Sequence, residues 1–129
     1  MPRKKCIRHG ADYPCTCALG HLYRFIEADL LLLLKQKDGS YGYELLSELE
    51  KRSISDAAID PGALYRTLRT LEANGNVTSE WSTSAGGPAR RLYRLTRKGE
   101  HHLEEWVEAL QHFSNSVRRF VEEARKELR

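Results

Sequence analysis

The sequence has no long hydrophobic run. Its longest run of leucines, residues 30–34, is far shorter than the ~20 apolar residues that a membrane-spanning helix needs. The first residues include Arg3, Lys4 and Lys5 but are not followed by the apolar core of an export signal. We therefore expect a cytoplasmic protein without a membrane partner.

The usual arrangements of catalytic residues are also missing. There is no phosphate-binding glycine loop, because Gly86 and Gly87 precede Pro88 and are typical of a hairpin turn. Neighbouring carboxylates such as Glu104 and Glu105 point about 100° apart on a helix and cannot act together on one substrate. No nucleophile has an evident base. The sequence therefore predicts a protein that is not an enzyme.

The chain has only a small excess of positive charge, but its charged residues are unevenly distributed along the sequence. The formal net charge is +3. Residues 66–98 carry many arginines and lysines, with Glu72 and Glu80 as their only acids, whereas acidic residues are concentrated in residues 100–127. A basic segment of this kind favours nucleic-acid binding more strongly than the net charge does.

Residues 60–95 predict a recognition helix followed by a basic β-hairpin. Asp60 and Pro61 are typical of a helix start, because the carboxylate accepts hydrogen bonds from free N–H groups and proline has no N–H to leave unpaired. Leucines then recur at spacings of four and three, which gives one apolar stripe, and Asn74 with Gly75 predicts the helix end. Polar and cationic residues form its outer face.

The order of predicted elements indicates the fold class. A helix over residues 23–37 and a second over 41–52, capped by Ser40, precede the recognition helix, and strands over 77–81 and 90–94 follow it. Three helices and then two strands is the order of a winged helix-turn-helix. We therefore predict a mainly α fold with a small β-hairpin, in which residues 23–96 form the DNA-binding domain.

Residues 97–129 predict one long helix with an apolar seam. A helix of ~30 residues is ~45 Å long, more than so small a domain covers. We expect the seam to pair with a second copy of the chain, because a winged helix needs two-fold symmetry to read paired half-sites; packing on the first helix would account for part of it. The predicted dimer interface is Leu103, Trp106, Leu110, Phe113, Val117, Phe120 and Ala124.

Candidate DNA contacts lie on the recognition helix, at the start of the second helix and in the wing. Arg66 and Arg69 are three residues apart on one face and are suited to guanine edges, and a helix start suits phosphate. The alternative is that the arginines are solvated surface residues and that Tyr65 is a core aromatic. The predicted contacts are Ser40, Tyr41, Tyr43, Ala63, Tyr65, Arg66, Arg69, Thr70, Arg90 and Arg91.

Residues 1–22 form a separate segment that holds all three cysteines of the chain. Thiolate and imidazole together suit zinc or an iron–sulfur cluster, although the two cysteine pairs of a zinc finger are missing, and a dimer would pool ligands from both chains. A thiol redox switch and a reduced tail without metal are the alternatives. The predicted metal ligands are Cys6, His9, Cys15, Cys17 and His21.

Three motifs together resemble the PadR family of bacterial transcriptional regulators. They are Ser-Tyr-Gly-Tyr-Glu-Leu at 40–45, Gly-Ala-Leu-Tyr-Arg-Thr-Leu at 62–68, and the segment 87–99, which includes Arg-Arg-Leu-Tyr-Arg-Leu-Thr. The resemblance covers roughly residues 24–128 and is to the short subclass, in which one C-terminal helix forms the dimer interface. It implies a homodimeric repressor that binds a double-stranded DNA operator and is released by a small molecule or another signal.

Two features depart from the family pattern. Arg66 stands where the family usually has proline, so we expect a different operator. The family generally has no counterpart of residues 1–22, so we expect the signal, a metal or thiol oxidation, to enter there.

In drug-sensing relatives a tryptophan on the last helix lines an aromatic pocket, which makes Trp106 and Leu110 the candidate small-molecule site; a core role for Trp106 is the alternative. A winged-helix protein-interaction module without DNA binding is the rival function.

Overall fold

The computed structural model describes residues 25–52, 59–83 and 87–129. The described elements are α1 (Ile26–Gln36), β1 (Ser40–Tyr41), α2 (Gly42–Arg52), α3 (Pro61–Ala73), β2 (Val77–Ser82), β3 (Arg90–Leu95) and α4 (Arg97–Glu127). This is the predicted mainly helical winged-helix fold with a long C-terminal helix. Within these ranges no helix combines the length and the apolar character needed to cross a membrane.

Helix α3 begins and ends where its sequence predicts. The Asp60 side chain accepts a hydrogen bond of 3.1 Å from the N–H of Gly62, and Pro61 is the first helical residue. After Ala73 the chain leaves the helix through Gly75, whose φ of +79° lies in the left-handed region that favours glycine. The local signals at both ends therefore fix the position of the recognition helix.

The sheet has one strand more than the predicted hairpin. Its order is β1-β3-β2, and all pairings are antiparallel. Ser40 pairs with Tyr93 in this sheet, so the prediction that Ser40 caps the second helix is wrong. Helix α2 begins at Gly42, and Glu44 accepts the N–H of Tyr41 at 2.9 Å. A strand of two residues shows no alternation in the sequence, which is why the pattern missed it.

Leucines of the first three helices form the core. The run 30–34 is buried except for Leu32, which is 46 % exposed. Leu64, Leu68 and Leu71 bury the inner stripe of α3 against it, together with residues of α2 and the sheet. Burial raises the pKa of Tyr93, which contributes to this core from β3. The outer face of α3 is therefore held on a rigid base.

The start of α4 is fastened to the turn that ends α3. Thr96 caps α4 by accepting the N–H of Gly99 at 3.0 Å, and its own N–H donates to the carbonyl oxygen of Asn76 at 3.1 Å. The Thr96 hydroxyl also lies 2.7 Å from the carbonyl oxygen of Gly75. Gly99 is buried at this contact, with no room for a side chain next to Asn76. This joint fixes the direction of α4 relative to the recognition helix.

The first turns of α4 pack on α1, whereas several seam residues further along are exposed. Glu27 accepts hydrogen bonds from His102 and from the indole N–H of Trp106, the latter at 3.1 Å. Lys35 forms an ion pair of 2.8 Å with Glu100. Packing on the chain's own first helix thus accounts for part of the seam, as the sequence allowed. Further along, three seam residues are 42–70 % exposed: Phe113, Val117 and Phe120.

Candidate nucleic-acid interface

The outer face of α3 presents a row of polar and cationic side chains. Arg66 and Arg69 are exposed; Arg66 lies 3.7 Å from the Asp60 carboxylate, while Arg69 makes no ion pair with any residue in the described ranges. Thr70 is also exposed, although its hydroxyl donates to the carbonyl oxygen of Arg66 at 3.1 Å. Ala63 differs from these, because it is half-buried against the core. The arginines are thus the groups of α3 that a ligand meets first.

Tyr65 extends this face to the start of α2. It is 38 % exposed, so it is not a core aromatic. Its ring lies so close to Gly42 that a Cβ atom at that position would be 2.5 Å from Cε1 of Tyr65. Glycine at the first position of α2 therefore allows the recognition helix and the second helix to form one continuous surface.

Two tyrosines and an arginine connect α2 to the wing. The rings of Tyr41 and Tyr43 are stacked, with centroids 5.8 Å apart and an angle of 6° between the planes. The Arg90 guanidinium lies 5.2 Å from the Tyr43 ring centroid and donates to the Tyr43 hydroxyl at 3.0 Å, and the Tyr41 hydroxyl donates to Ser82 at 3.0 Å. Residues of β1 and α2, more than 40 positions earlier in the chain, therefore hold Arg90 in place.

A carboxylate below this cluster fixes the backbone of Tyr41. Glu44 accepts a hydrogen bond from the Tyr41 N–H and forms an ion pair of 2.9 Å with Lys37. These contacts, of which the Tyr41 hydrogen bond has the larger effect, hold the pKa of Glu44 below its ordinary value. Ser40, the residue before Tyr41, is only 4 % exposed and lies within the sheet. The Ser40 side chain is thus buried and separated from the exposed residues that were predicted with it as DNA contacts.

Arg91 lies on the opposite face of the hairpin and connects the wing to α3. Its guanidinium is 5.1 Å from the ring centroid of Trp81 and 3.9 Å from the Glu72 carboxylate, whose other oxygen accepts the Ser79 hydroxyl at 2.6 Å. Neither Trp81 nor Glu72 was among the residues predicted for the site. The pairing of β2 with β3 sets the register that places Trp81 opposite Arg91.

The residues of α4 that were predicted to bind a small molecule lie in an aromatic cluster at the start of α1. The rings of Phe25 and Trp106 meet edge to face, with centroids 6.4 Å apart, and the Phe113 ring lies 6.3 Å from Phe25. Leu110 is half-buried next to them in the helix. Trp106 is therefore both a packing residue of its own chain and a member of a partly exposed aromatic cluster.

The candidate metal site cannot be placed in this structure. All five predicted ligands belong to residues 1–22, which lie outside the described residues. Among the residues that the structure does describe, no group of three or more histidine, cysteine and carboxylate side chains is arranged to hold a metal ion.

Known proteins resemble this chain in sequence and in fold. A transcriptional regulator of Mycobacterium tuberculosis is 38 % identical over 77 residues, which cover 60 % of this chain and 68 % of the regulator. A PadR-like transcriptional regulator from Bacillus cereus has a TM-score of 0.66 at 27 % identity, covering 78 % of this chain and 94 % of its own. A PadR family regulator from Eggerthella lenta has a TM-score of 0.64 at 28 % identity, covering 80 % and 88 %.

The sequence pattern of the Transcriptional regulator PadR-like family matches residues 30–105. This range runs from the buried leucines of α1 through the recognition helix and the wing to the first turns of α4. It includes the α3 face and both wing arginines described above. Members of this family regulate transcription and are not enzymes, which agrees with the missing catalytic arrangement. This chain therefore belongs to the PadR-like family of transcriptional regulators.

Proposed function

We propose that the chain is a homodimeric repressor that grips double-stranded DNA with α3 and the wing. The observation that carries the proposal is the direct connection between wing and helices. Arg90 is bound to Tyr43 of α2, and Arg91 lies next to Glu72 of α3. Contacts with α2 and α3 therefore hold both wing arginines beside the surface that carries the cations of α3. Such a surface suits base edges in a major groove and the phosphates on either side of it.

The dimer is proposed from the exposed part of the α4 seam. Phe113 is 53 % and Phe120 70 % exposed, and both repeat at the spacing of a helix-pairing stripe. Pairing with the same stripe of a second copy would remove these side chains from water. Because such an interface has two-fold symmetry, the two recognition helices would face two half-sites of opposite direction.

Selection of random DNA duplexes with the full chain tests this function. We expect enrichment of inverted repeats whose half-sites are about one helical turn apart, because a two-fold dimer reads the same sequence in both directions. The selected duplex should bind one dimer, as shown by the mass of the complex in solution. A lack of enrichment at low salt would contradict the function and favour the protein-interaction module. Placing the selected sequence over a promoter then measures the sign of regulation.

We also propose that the signal enters through the cysteine segment, with zinc or an iron–sulfur cluster held by the predicted ligands. The test is elemental analysis and an absorption spectrum on protein purified without oxygen, with the double variant Cys15→Ser and Cys17→Ser as its control. We expect a stoichiometric metal that the variant has lost, and DNA binding that depends on it. An equal metal content in the two proteins would contradict this assignment.

A second candidate for the signal is an aromatic small molecule at Trp106. The observation that favours it is the partly exposed cluster of Phe25, Trp106 and Phe113. Two of these residues, Trp106 and Phe113, also belong to the proposed dimer seam. A compound that stacks there would separate or reorient α1 and α4, since Trp106 also donates to Glu27 of α1. Absence of metal from the purified protein would direct the search for the effector to this cluster.

A further inference from the structure

Trp81 is a large apolar side chain left exposed on the wing. It lies on β2 next to the last residue of the strand and is 64 % exposed. Tryptophan is highly buried on average in folded proteins, so this exposure requires a reason. One face of the indole is covered by Arg91, whose guanidinium carbon is 5.1 Å from the ring centroid. Much of the ring surface that remains is open to a ligand.

The Trp81–Arg91 pair is held next to the recognition helix. Arg91 reaches the Glu72 carboxylate at 3.9 Å, and Glu72 is fixed in turn by the hydroxyl of Ser79. On an α-helix, Glu72 lies one turn after Arg69, so both belong to the same side of α3. The indole is therefore positioned beside the face of α3 that carries Arg69.

The charges around the pair favour a polyanion as its partner. Arg91 adjoins Trp81 across the hairpin. Arg90 lies on the opposite face, where Glu80, the acid of the same strand, is bound to Arg94. A duplex whose groove receives α3 brings one sugar–phosphate backbone alongside the helix, where the wing lies. Deoxyribose offers an apolar surface to an indole, and phosphate accepts the indole N–H.

We propose that Trp81 is a DNA-contact residue that packs on a deoxyribose and donates its N–H to the adjacent phosphate, with Arg91 orienting it. This inference rests on the proposed DNA-binding function. It assigns to the wing an uncharged contact in addition to its arginines. Because Trp81 has no charge, its contribution to affinity is expected to be independent of salt, unlike that of Arg91.

The two tryptophans of the chain allow a direct test by NMR of the indole N–H groups. The probe is a mixed-sequence DNA duplex of about 30 base pairs at low salt, where non-specific binding is strong. On addition of DNA to the wild-type protein, the Trp81 signal should shift and become protected from exchange with water. The Trp106 signal should not move, because its N–H is already bonded to Glu27. Trp81→Phe assigns the two signals.

Affinity measurements complete the test. Trp81→Ala should weaken binding about tenfold with an unchanged salt slope. Leu32→Ala, which shortens another half-exposed apolar side chain far from the wing in sequence, should bind as the wild type does. If the wild type binds the duplex while the Trp81 signal and the Trp81→Ala affinity stay the same, the inference is wrong and the DNA-binding function stands. If the wild type does not bind the duplex at all, the proposed function fails as well.

Discussion

Replacing Arg66, Arg69, Arg90 and Arg91 together by alanine is expected to abolish specific DNA binding without unfolding the protein. A bidentate contact between arginine and guanine contributes about 1–3 kcal/mol, so loss of the helix pair alone should lower the affinity about 30-fold or more. Loss of the wing pair should lower the slope of log affinity against log salt by about one for each phosphate contact removed. All four side chains are exposed, so we expect little change in the free energy of unfolding.

The matched control removes four cations from α4 instead. Its substitutions to alanine are at Arg118, Arg119, Arg125 and Lys126, all of which are exposed. Because the two variants have the same net charge, a difference between them reports position. Equal losses of affinity would mean that net charge alone governs binding. Wild-type affinity in the first variant, at any salt concentration, would remove the α3–wing surface from consideration as the DNA site.

Gly99→Ala is expected to produce the largest loss of stability from a single small substitution. An added methyl group would overlap the backbone carbonyl oxygen of Asn76 and lie 2.6 Å from Cδ1 of Leu95. Backbone cannot move aside as a flexible side chain can, and overpacking of this kind costs about 1–3 kcal/mol. Alanine is the better helix former by about 1 kcal/mol, which offsets only part of this cost. Denaturant unfolding followed by far-UV circular dichroism measures the net change.

The comparison variant is Gly62→Ala, near the start of α3. There the added methyl group would meet Nη1 of Arg66 at 3.2 Å, and this is the flexible end of an exposed side chain. We expect a neutral or slightly stabilising effect from helix propensity. Similar changes in the two variants would show that the joint between α3 and α4 is not tightly packed. If only Gly99→Ala loses stability, we also expect that variant to bind DNA more weakly, because the joint sets the direction of the proposed dimer helix relative to α3.

The fold followed from the sequence wherever its signals were local. Asp60, Pro61 and Gly75 mark the ends of α3, and each acts within a few residues of its own position. The leucine stripe of α3 is buried, as its spacing predicted. The seam of α4 was likewise visible as a periodic pattern, and its first part contacts α1 while later residues stay exposed. Such segments can be predicted from the sequence because a cap or a periodic pattern lies within the helix that it specifies.

The composition of the site was less predictable. Sequence reasoning placed Ser40 at a helix start among the DNA contacts, whereas the fold buries it in a third strand opposite Tyr93. It predicted Ala63 as a DNA contact, whereas the fold packs it partly against the core. It passed over Trp81, whose exposure depends on where the hairpin lies relative to α3. Each difference concerns which side of an element meets a neighbour that is distant in the chain.

The sequence by itself determined the helices, the hairpin, the basic recognition face and the family, because capping, periodicity and motif order are local properties. Only the tertiary structure decided how these parts join. The stack of Tyr41 and Tyr43 with Arg90 spans 49 positions of the chain, and Glu27 meets His102 and Trp106 across more than 70. Such contacts form when the core brings separate elements together, and no periodic pattern in one segment encodes them.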